Sequence, residues 1–464
     1  MRILFQDGWP NLYPKVFVDG IVSEHANAKG EVCLWRPGDM SFQWLTWDGV
    51  KARIAEWCER ARQGFGARDL VLDAHLYYEP KARLMVLVDL KTLKAKPFTN
   101  GESGEFSWTP KKPDLVIING AKQGAEMLPG RWYFRSHIPV PPRNFETFRQ
   151  ALTSAQQKNF DRGIKAVESG GQDAQILFAL LWPTARGLNV QLVRAHKDGN
   201  GGLATEALEA APNDHDTLRL RAGPDAAALS HQRAVLFGAG AIGSHAVLLL
   251  AEMGLGSLMV CDQERLRPGN AVRHVAGQTL VGYPKVVTVE YVVREHAPWV
   301  TVKTTPDNPW DPRKLTELIA GMNLVLDTTG LASFTDQLSR LAEQAKVSLV
   351  SAALFRGGAV GRVRRQVVGK DVPAYQRHEQ RDRYPAIPPG QGEEEIAGLE
   401  AGCSAPVVNA SPAVVQAVAS LMARVVADMV SCRFELSEEC IEVYSPLETV
   451  PFNSLGLLLL GKRP

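Results

Sequence analysis

Short apolar runs alternate with apolar stretches of helical length in the second half of the chain. The runs Ala234–Phe237 and Ser257–Cys261 have the length of strands, and the apolar stretch Ala246–Met253 lies between them. A buried strand, a helix and a second buried strand in this order predict a βαβ unit with parallel strands. Two later runs, Asn323–Asp327 and Val347–Ala353, continue the alternation. This half is therefore predicted to form a doubly wound α/β sheet.

The first half of the chain has a less regular pattern. An apolar strand is predicted at Tyr13–Val18, followed by a helix with Asp48 as its N-cap. Further on, a helix at Phe145–Glu168 lies among short apolar runs, which indicates a small mixed domain. The segment Lys197–Asp214 is rich in Gly, Asn, Asp and Ala, and it is predicted to be a linker.

Length and composition limit the class of protein. A chain of 464 residues is long enough for two or three domains, and we predict them at 1–100, 101–215 and 216–464. The 52 basic and 50 acidic residues give a net charge of +2, so nothing indicates a nucleic-acid partner. The sequence shows no apolar run of membrane-spanning length and no signal-like N-terminus. We therefore expect a cytoplasmic protein without a membrane partner.

Cysteine spacing excludes two further classes. The six cysteines form no CxxC pair, which excludes the usual closed zinc site. In a chain of this length they also argue against a disulfide framework. Any functional cysteine must therefore be identified from its local surroundings.

Three glycines follow the first apolar strand and lead directly into the predicted helix. In such a turn Gly238 permits the sharp bend, Gly240 lets backbone amides approach phosphate, and Gly243 lets the helix pack closely on the strand. Asp262 ends the second strand at about the ~20-residue distance that places a carboxylate on a ribose hydroxyl. Taken alone, this pattern is also typical of an NAD-dependent dehydrogenase.

The residues after Asp262 favour a triphosphate over a dinucleotide. Glu264, Asn270, Arg273 and Lys285 follow in order, and amide and cationic side chains are what phosphate oxygens require. This arrangement resembles the adenylation domain of ubiquitin-activating enzymes and their ThiF-like bacterial relatives in thiamin and molybdopterin biosynthesis. The resemblance implies that Asp262, beside Glu264, holds the ribose of ATP, and that Asn270, Arg273 and Lys285 contact its phosphates.

The chain departs from that family at the metal site. The family usually carries an Asp-Asn pair after the next strand, and its Asp binds Mg²⁺. Here Gly330 stands where that Asp would fall, while Asp327 ends the strand. We predict that Asp327 takes the metal role instead.

A second resemblance concerns the first hundred residues. Tyr13-Pro14, His25-Ala26-Asn27 and the Gly-x-x-Cys-Leu segment around Cys33 follow the order found in ubiquitin-conjugating enzymes. The resemblance implies that Cys33 carries a thioester and that Asn27 stabilises the oxyanion. The alternative is a buried structural cysteine, either in an unrelated domain or in a non-catalytic docking version of the same fold.

Two features follow the predicted strand Asn323–Asp327. The basic strand Arg356–Arg365 either lines the path of a substrate tail or forms a solvated basic edge. The polar segment Asp371–Gly402 is predicted to be a long loop that delivers Cys403 to the start of an apolar helix, Val407–Met429. A helix N-terminus would lower the pKa of the Cys403 thiol. By the family resemblance, Cys403 accepts the activated carboxyl group.

The predicted fold is α/β, with a Rossmann-like doubly wound adenylation domain. An α+β conjugating-enzyme-like domain and a small mixed α/β linker domain precede it. The chain resembles the fused activating and conjugating proteins of bacterial antiphage systems. This implies ATP-dependent activation of a ubiquitin-like protein ending in glycine, transfer through Cys403 and Cys33 or a separate conjugating enzyme, and a homodimer. A sulfur-carrier adenylyltransferase and a non-catalytic scaffold are the alternatives.

Overall fold

The computed structural model describes most of the chain. Residues outside the description are 22, 24, 28, 36–38, 66–76, 79–83, 90–92, 94–96, 113–114, 119–126, 139–140, 185–186, 307–310, 391–395, 400–405, 409 and 462–464. The chain divides into two compact units, Met1–Thr217 and Leu218–Pro464. The short helix α4 (His215–Arg219) contains this division.

The first unit begins with a small antiparallel sheet and one helix. The sheet has the order β1-β2-β3, with β1 at Arg2–Leu4, β2 at Lys15–Phe17 and β3 at Glu31–Val32. Helix α1 covers Trp47–Gln63, and its N-cap is Thr46, whose side chain accepts the N–H of Gly49. The predicted cap at Asp48 is therefore wrong, since Asp48 lies inside the first turn.

Seven further strands of this unit form a closed barrel with the order β10-β4-β6-β5-β7-β8-β9. Their bounds are β4 Met85–Val88, β5 Ser103–Lys112, β6 Leu115–Ile118, β7 Leu128–Phe134, β8 Gln175–Thr184, β9 Gly187–Lys197 and β10 Leu203–Pro212. The predicted linker at 197–214 is wrong, because most of it is strand β10, with Ala207 and Leu208 buried in the barrel. Strand β4 lies within the barrel, so this structure spans the predicted boundary at residue 100.

Two helices lie between β7 and β8 along the chain. Helix α2 covers Phe145–Gln150 and helix α3 covers Ser154–Ser169. The single helix predicted here is divided because Thr153 caps α3, its side chain accepting the N–H of Gln156.

The second unit is built on an eight-stranded sheet with the order β13-β12-β11-β14-β15-β16-β19-β20. The bounds are β11 Arg233–Phe237, β12 Ser257–Cys261, β13 Thr301–Thr305, β14 Leu324–Asp327, β15 Ser348–Phe355, β16 Val360–Gln366, β19 Glu439–Val443 and β20 Gly456–Leu460. Strands β11 to β15 are parallel, and β16, β19 and β20 join them antiparallel. A separate pair contains β17 (Ile396–Leu399) and β18 (Pro406–Val408).

Helices cover both faces of the large sheet. They are α5 Ala226–Leu229, α6 Ala241–Glu252, α7 Lys285–His296, α8 Pro312–Ile319, α9 Ala332–Ala345 and α10 Pro412–Val430. Strand alternation sends Ala234 and Leu236 into the core under α6, α7 and α10. It sends Val235 and Phe237 into the opposite core under α8 and α9. The predicted doubly wound α/β fold of this half is confirmed.

Helix α10 is long and apolar enough to cross a membrane by length and composition, and it is the one such helix among the described residues. Buried residues make up 61% of its apolar window. Val418, Met422 and Val426 belong to the same core as Ala246 and Leu250 of α6. Its position inside the second unit therefore accounts for its apolar composition.

Candidate functional site

The glycine turn connects β11 to α6 at the carboxyl edge of the parallel strands. Gly238 has a φ of +88°, which favours glycine. A Cβ on Gly243 would lie 2.1 Å from the carbonyl oxygen of Gly238, so only glycine allows this close packing. Around Gly240 no atom lies within 4 Å of an added Cβ. The turn is therefore tightly packed on the sheet side and open at Gly240, where α6 begins without a side-chain cap.

Two buried side chains hold the central residue of this turn, Ala239. Asp262 Oδ2 accepts the N–H of Ala239 at 2.7 Å, and its Oδ1 accepts the N–H of Glu264 at 2.7 Å. His274 Nε2 lies 3.0 Å from the carbonyl oxygen of Ala239. Its Nδ1 accepts the N–H of Ala276 at 3.0 Å, so Nε2 is the protonated nitrogen and donates to Ala239. The peptide groups on both sides of Ala239 are thus fixed before any ligand binds.

Burial shifts the pKa values of both Asp262 and His274. Asp262 is 7% exposed, and burial raises the pKa of its carboxyl group against the hydrogen bond from Glu264 and the charge of Lys285. His274 is 6% exposed, and burial lowers its pKa to about 4. The neutral imidazole is therefore the form that holds the turn at neutral pH.

We predict that His274 makes the stability of the fold depend on pH. The pKa of His274 in the folded state, about 4, lies below the ordinary value for histidine. Neutral His274 therefore stabilises the fold fully at pH values above the ordinary pKa, and this stabilisation is lost as the pH falls toward 4. The loss is at most about 3 kcal/mol in the free energy of unfolding. Denaturant titrations of wild type and His274→Gln at neutral pH and near pH 4.5 measure it. A wild-type advantage of equal size at both pH values would contradict the prediction.

The predicted phosphate contacts lie in the segment after Asp262. Lys285 starts α7, its side chain is 9% exposed, and its ammonium pairs with the exposed carboxylate of Glu264. Asn270 belongs to the turn Pro268–Val272, and its Oδ1 accepts the N–H of Arg267 at 3.2 Å. Arg273 Nη1 donates to the carbonyl oxygen of Ala410 at 3.3 Å. Arg273 thus links the turn segment to the residue that precedes Ser411, the N-cap of α10.

Comparison with known proteins assigns this unit to a family. The profile of the ThiF family matches residues 217–441. Molybdopterin-synthase adenylyltransferase of Salmonella typhimurium is 30% identical over 184 residues, which cover 39% of this chain and 69% of the relative. The chain belongs to the ThiF family.

Two further proteins are similar to this chain over part of its length. The SAMP-activating enzyme E1 of Haloferax volcanii is 29% identical over 129 residues, which cover 28% of this chain and 47% of that enzyme. Among solved structures, E. coli MccB with ATP aligns with a TM-score of 0.39 at 15% identity, over 52% of this chain and 67% of MccB. The ThiF match covers the second unit as far as residue 441, and the glycine turn lies within it.

The glycine turn lies at the edge of the sheet where the parallel strands of the second unit end. Strands β11, β12 and β14 end beside one another, at Phe237, Cys261 and Asp327. Ligands of doubly wound sheets bind at this edge, and the uncapped start of α6 directs backbone amides toward it. With Arg273 and Lys285 in the adjoining segment, the edge can hold and polarise a nucleotide phosphate. The nucleotide roles of the three glycines, Asp262, Glu264, Asn270, Arg273 and Lys285 stay predictions.

Asp327 lies at this edge but is enclosed. It is 1% exposed, and its Oδ1 accepts the N–H and hydroxyl of Thr329 at 3.0 and 2.8 Å. Its Oδ2 accepts the hydroxyl of Thr335 at 2.5 Å. Burial raises its pKa, and these hydrogen bonds oppose the rise. Within the described ranges, no group of three or more His, Cys, Asp or Glu side chains could hold a metal. The Asp327 carboxylate thus already accepts three hydrogen bonds, and its metal role stays a prediction.

Asp327→Asn separates a metal role from a structural one. We expect this variant to lose about 1–3 kcal/mol of unfolding free energy, because the new amide no longer accepts all three donors. The Mg²⁺ concentration for half-maximal ATP-dependent activity is expected to stay unchanged. Thermal unfolding and a Mg²⁺ titration measure the two quantities. A marked rise in the Mg²⁺ requirement at unchanged stability would instead support the metal role.

Cys403 lies outside the described residues. The predicted helix start at Val407 is wrong, because Pro406–Val408 is strand β18 and α10 begins at Pro412. Ser411 caps α10, its Oγ accepting the N–H of Val414 at 3.3 Å, and a proline fits the first helical turn. The helix N-terminus is therefore not directly after Cys403, and the role of Cys403 as thioester carrier stays a prediction without that argument.

Cys33 and Asn27 lie on one hairpin of the first unit. The N–H of Cys33 donates to His25 O at 3.1 Å, and the N–H of Asn27 donates to Glu31 O at 2.9 Å. The Asn27 amide nitrogen donates to Glu31 Oε2 at 3.0 Å, while its Oδ1 accepts the N–H groups of Lys29 and Glu31. Asn27 thus stabilises the turn, and the catalytic roles of Cys33 and Asn27 stay predictions.

Two residues that hold the glycine turn were missed by sequence reasoning. His274 directly follows the predicted phosphate ligand Arg273, but its sequence position does not show that it reaches Ala239. Thr328 Oγ1 donates to the carbonyl oxygen of Gly238 at 2.5 Å. The turn after β14 therefore packs directly against the glycine turn, and this depends on the sheet order.

Proposed function

We propose that the chain is an ATP-dependent adenylyltransferase that activates the C-terminal carboxylate of a small protein. The observation that carries this proposal is the glycine turn at the uncapped start of α6, with Ala239 held by Asp262 and His274. A rigid turn at a helix N-terminus is suited to phosphate. The similarity to molybdopterin-synthase adenylyltransferase supports adenylyl transfer as the reaction class.

In the proposed step, a carboxylate oxygen of the protein substrate attacks the α-phosphorus of ATP. The bond from that phosphorus to the oxygen bridging to the β-phosphate breaks, and pyrophosphate leaves with the electron pair. Arg273 and Lys285 would offset the negative charge on the phosphates, with Lys285 exchanging Glu264 for phosphate. The start of α6 would face the phosphates, and Asp262 would bind the ribose. This assignment requires no thiol.

Pyrophosphate exchange tests this function. The purified full chain is mixed with ATP, labelled pyrophosphate and candidate small proteins that end in glycine. We expect label to enter ATP only when the protein substrate has a free C-terminal carboxylate. The same substrate with a C-terminal amide is the matched control. If no candidate supports exchange and ATP does not bind, the proposed function is wrong and the scaffold alternative is favoured.

We further infer that the substrate is ubiquitin-like and that the chain acts in a bacterial conjugation pathway of the antiphage type. Cys403 would capture the activated carboxyl as a thioester, and Cys33 or a separate conjugating enzyme would receive it. The similarity to a SAMP-activating enzyme E1 supports a protein modifier as substrate. A homodimer is part of this proposal.

A second candidate function is adenylation of a sulfur-carrier protein. It is favoured by the similarity to molybdopterin-synthase adenylyltransferase, of which 69% is covered. Mass spectrometry of the products separates the two functions. A substrate linked to the enzyme by a bond that thiols cleave supports conjugation, whereas a free substrate that ends in thiocarboxylate supports sulfur transfer.

A further inference from the structure

A small pocket with two arginines lies beside the glycine turn. Gly330, Thr335, Ser351, Arg362 and Arg364 are among its lining residues, and its volume is about 50 Å³. Gly330 follows the Thr328–Thr329 turn, and an added Cβ on Gly238 would lie 2.9 Å from Thr329 N. The pocket is therefore separated from the glycine turn by a single turn of chain.

Strand alternation places both arginines on the pocket side of β16. Val363 belongs to the core beneath α10, and an added Cβ on Gly361 would lie 2.3 Å from Val418 of that helix. Arg362 and Arg364 therefore face the opposite side, toward α9. Strand β16 pairs with β15 and β19. The solvated-edge interpretation of this basic strand is thus wrong.

Arg362 has a stacking partner but forms no ion pair with the described part of the chain. Its guanidinium lies 4.4 Å from the ring centroid of Phe355, and its side chain makes no hydrogen bond or ion pair with any residue the structure describes. Arg364 Nε lies 3.4 Å from Glu439 Oε2, and Glu439 is shared with Arg377 Nη1 at 3.3 Å. Glu439 thus serves both arginines, with Glu438 Oε2 at 3.9 Å from Arg377 Nη2, and no carboxylate among the described residues forms an ion pair with Arg362.

The surroundings of Arg362 favour an added anion. Burial, and next the like charge of Arg364, lower the pKa of Arg362 to about 9, while Glu439 and Asp336 oppose this effect. Helix α9 also begins at the pocket, and its N-cap residue, Leu331, supplies no side-chain cap. A helix of 14 residues directs positive potential and free amides toward such a position.

We propose that Arg362, Arg364 and the first amides of α9 form an oxyanion subsite that receives the substrate carboxylate beside the nucleotide. This inference rests on the proposed adenylation. A volume of about 50 Å³ suits a group of a few non-hydrogen atoms and is too small for a triphosphate. The arginines orient the carboxylate and offset its charge, at the turn where a metal-binding acid was expected from sequence. Here they are positioning and specificity residues.

Substitutions at Gly330 test the charge of this pocket. Gly330 has a φ of +71°, and an added Cβ there meets no atom of the described residues within 4 Å. Asp and Asn tolerate this conformation similarly, so Gly330→Asp and Gly330→Asn differ mainly in charge. We expect the substrate KM in pyrophosphate exchange to be at least about tenfold higher for Asp than for Asn. An Asp variant equal to or more active than the Asn variant would overturn the subsite.

Arg362→Gln supplies the binding test. The probes are a glycine-terminated peptide with a free carboxylate, the same peptide as an amide, and ATP alone, each titrated into the full chain. We expect the affinity for the free-carboxylate peptide to fall at least about tenfold, with ATP and amide binding nearly unchanged. Arg313→Gln is the control, because Arg313 is exposed on α8. Thermal unfolding confirms that both variants are folded.

The outcomes separate this inference from the proposed function. If wild type exchanges pyrophosphate but Arg362→Gln binds the carboxylate peptide normally, the subsite is wrong and adenylation stands. If Arg362→Gln weakens ATP instead, the arginines bind phosphate and the carboxylate assignment is wrong. If wild type shows neither exchange nor ATP binding, adenylation itself fails.

Discussion

Asp262→Ala is expected to abolish ATP-dependent pyrophosphate exchange. The substitution removes the acceptor of two backbone amides, those of Ala239 and Glu264, each at 2.7 Å. Ala239 is buried, so its N–H would lose its partner without gaining water. Losing the turn geometry together with the proposed ribose contact is expected to lower the exchange rate by at least about 100-fold.

A control variant separates this effect from general destabilisation. Asp311→Ala also removes an aspartate that accepts a backbone amide, that of Arg313 at 3.0 Å, but it does so at the start of α8. We expect this variant to lose some stability and to keep exchange. Arg273→Ala is expected to lose exchange as Asp262→Ala does, because a positive charge beside the phosphates is removed. Full exchange in Asp262→Ala would remove the nucleotide assignment of the turn.

The doubly wound half of the chain was predictable because its pattern is local. Each parallel strand is a short apolar run between helices, and the glycines mark the first crossover. The barrel of the first unit was not predictable in this way. Strand β4 pairs in parallel with β10, as at Met85 and Glu209, across more than a hundred residues. Such pairing leaves no periodic signal, whereas a composition rich in Gly, Asn, Asp and Ala predicts a linker at Lys197–Asp214.

The candidate site was predictable only where the backbone dictates residue type. Gly238 and Gly243 are required by a positive φ and a close contact, so they form a recognisable motif. His274 and Arg362 act through tertiary contacts instead. His274 reaches a residue 35 positions earlier, and Arg362 faces the pocket because β16 is an inner strand. A metal role is predicted for Asp327 from its position at the end of a strand, and sequence does not reveal that two threonines donate to its carboxylate.

Alanine substitutions at the two predicted thioester cysteines, Cys403 and Cys33, should affect different steps of the reaction. Adenylation needs no thiol, so Cys403→Ala is expected to keep pyrophosphate exchange while losing every adduct with the protein substrate that reducing agent cleaves. Cys33→Ala is expected to keep the Cys403 adduct and lose onward conjugation, because a thioester must reach a second nucleophile before an amine attacks. Non-reducing gels of the full chain with ATP and substrate show both effects.

Other cysteines provide the matched control for this experiment. Cys432 is an exposed free thiol, so Cys432→Ala tests for adventitious adducts. We expect this variant to behave as wild type in both exchange and adduct formation. Cys33 follows strand β3 and is partly exposed. A wild-type conjugate pattern from Cys33→Ala would make the N-terminal region a docking module, with the conjugating cysteine supplied by another protein.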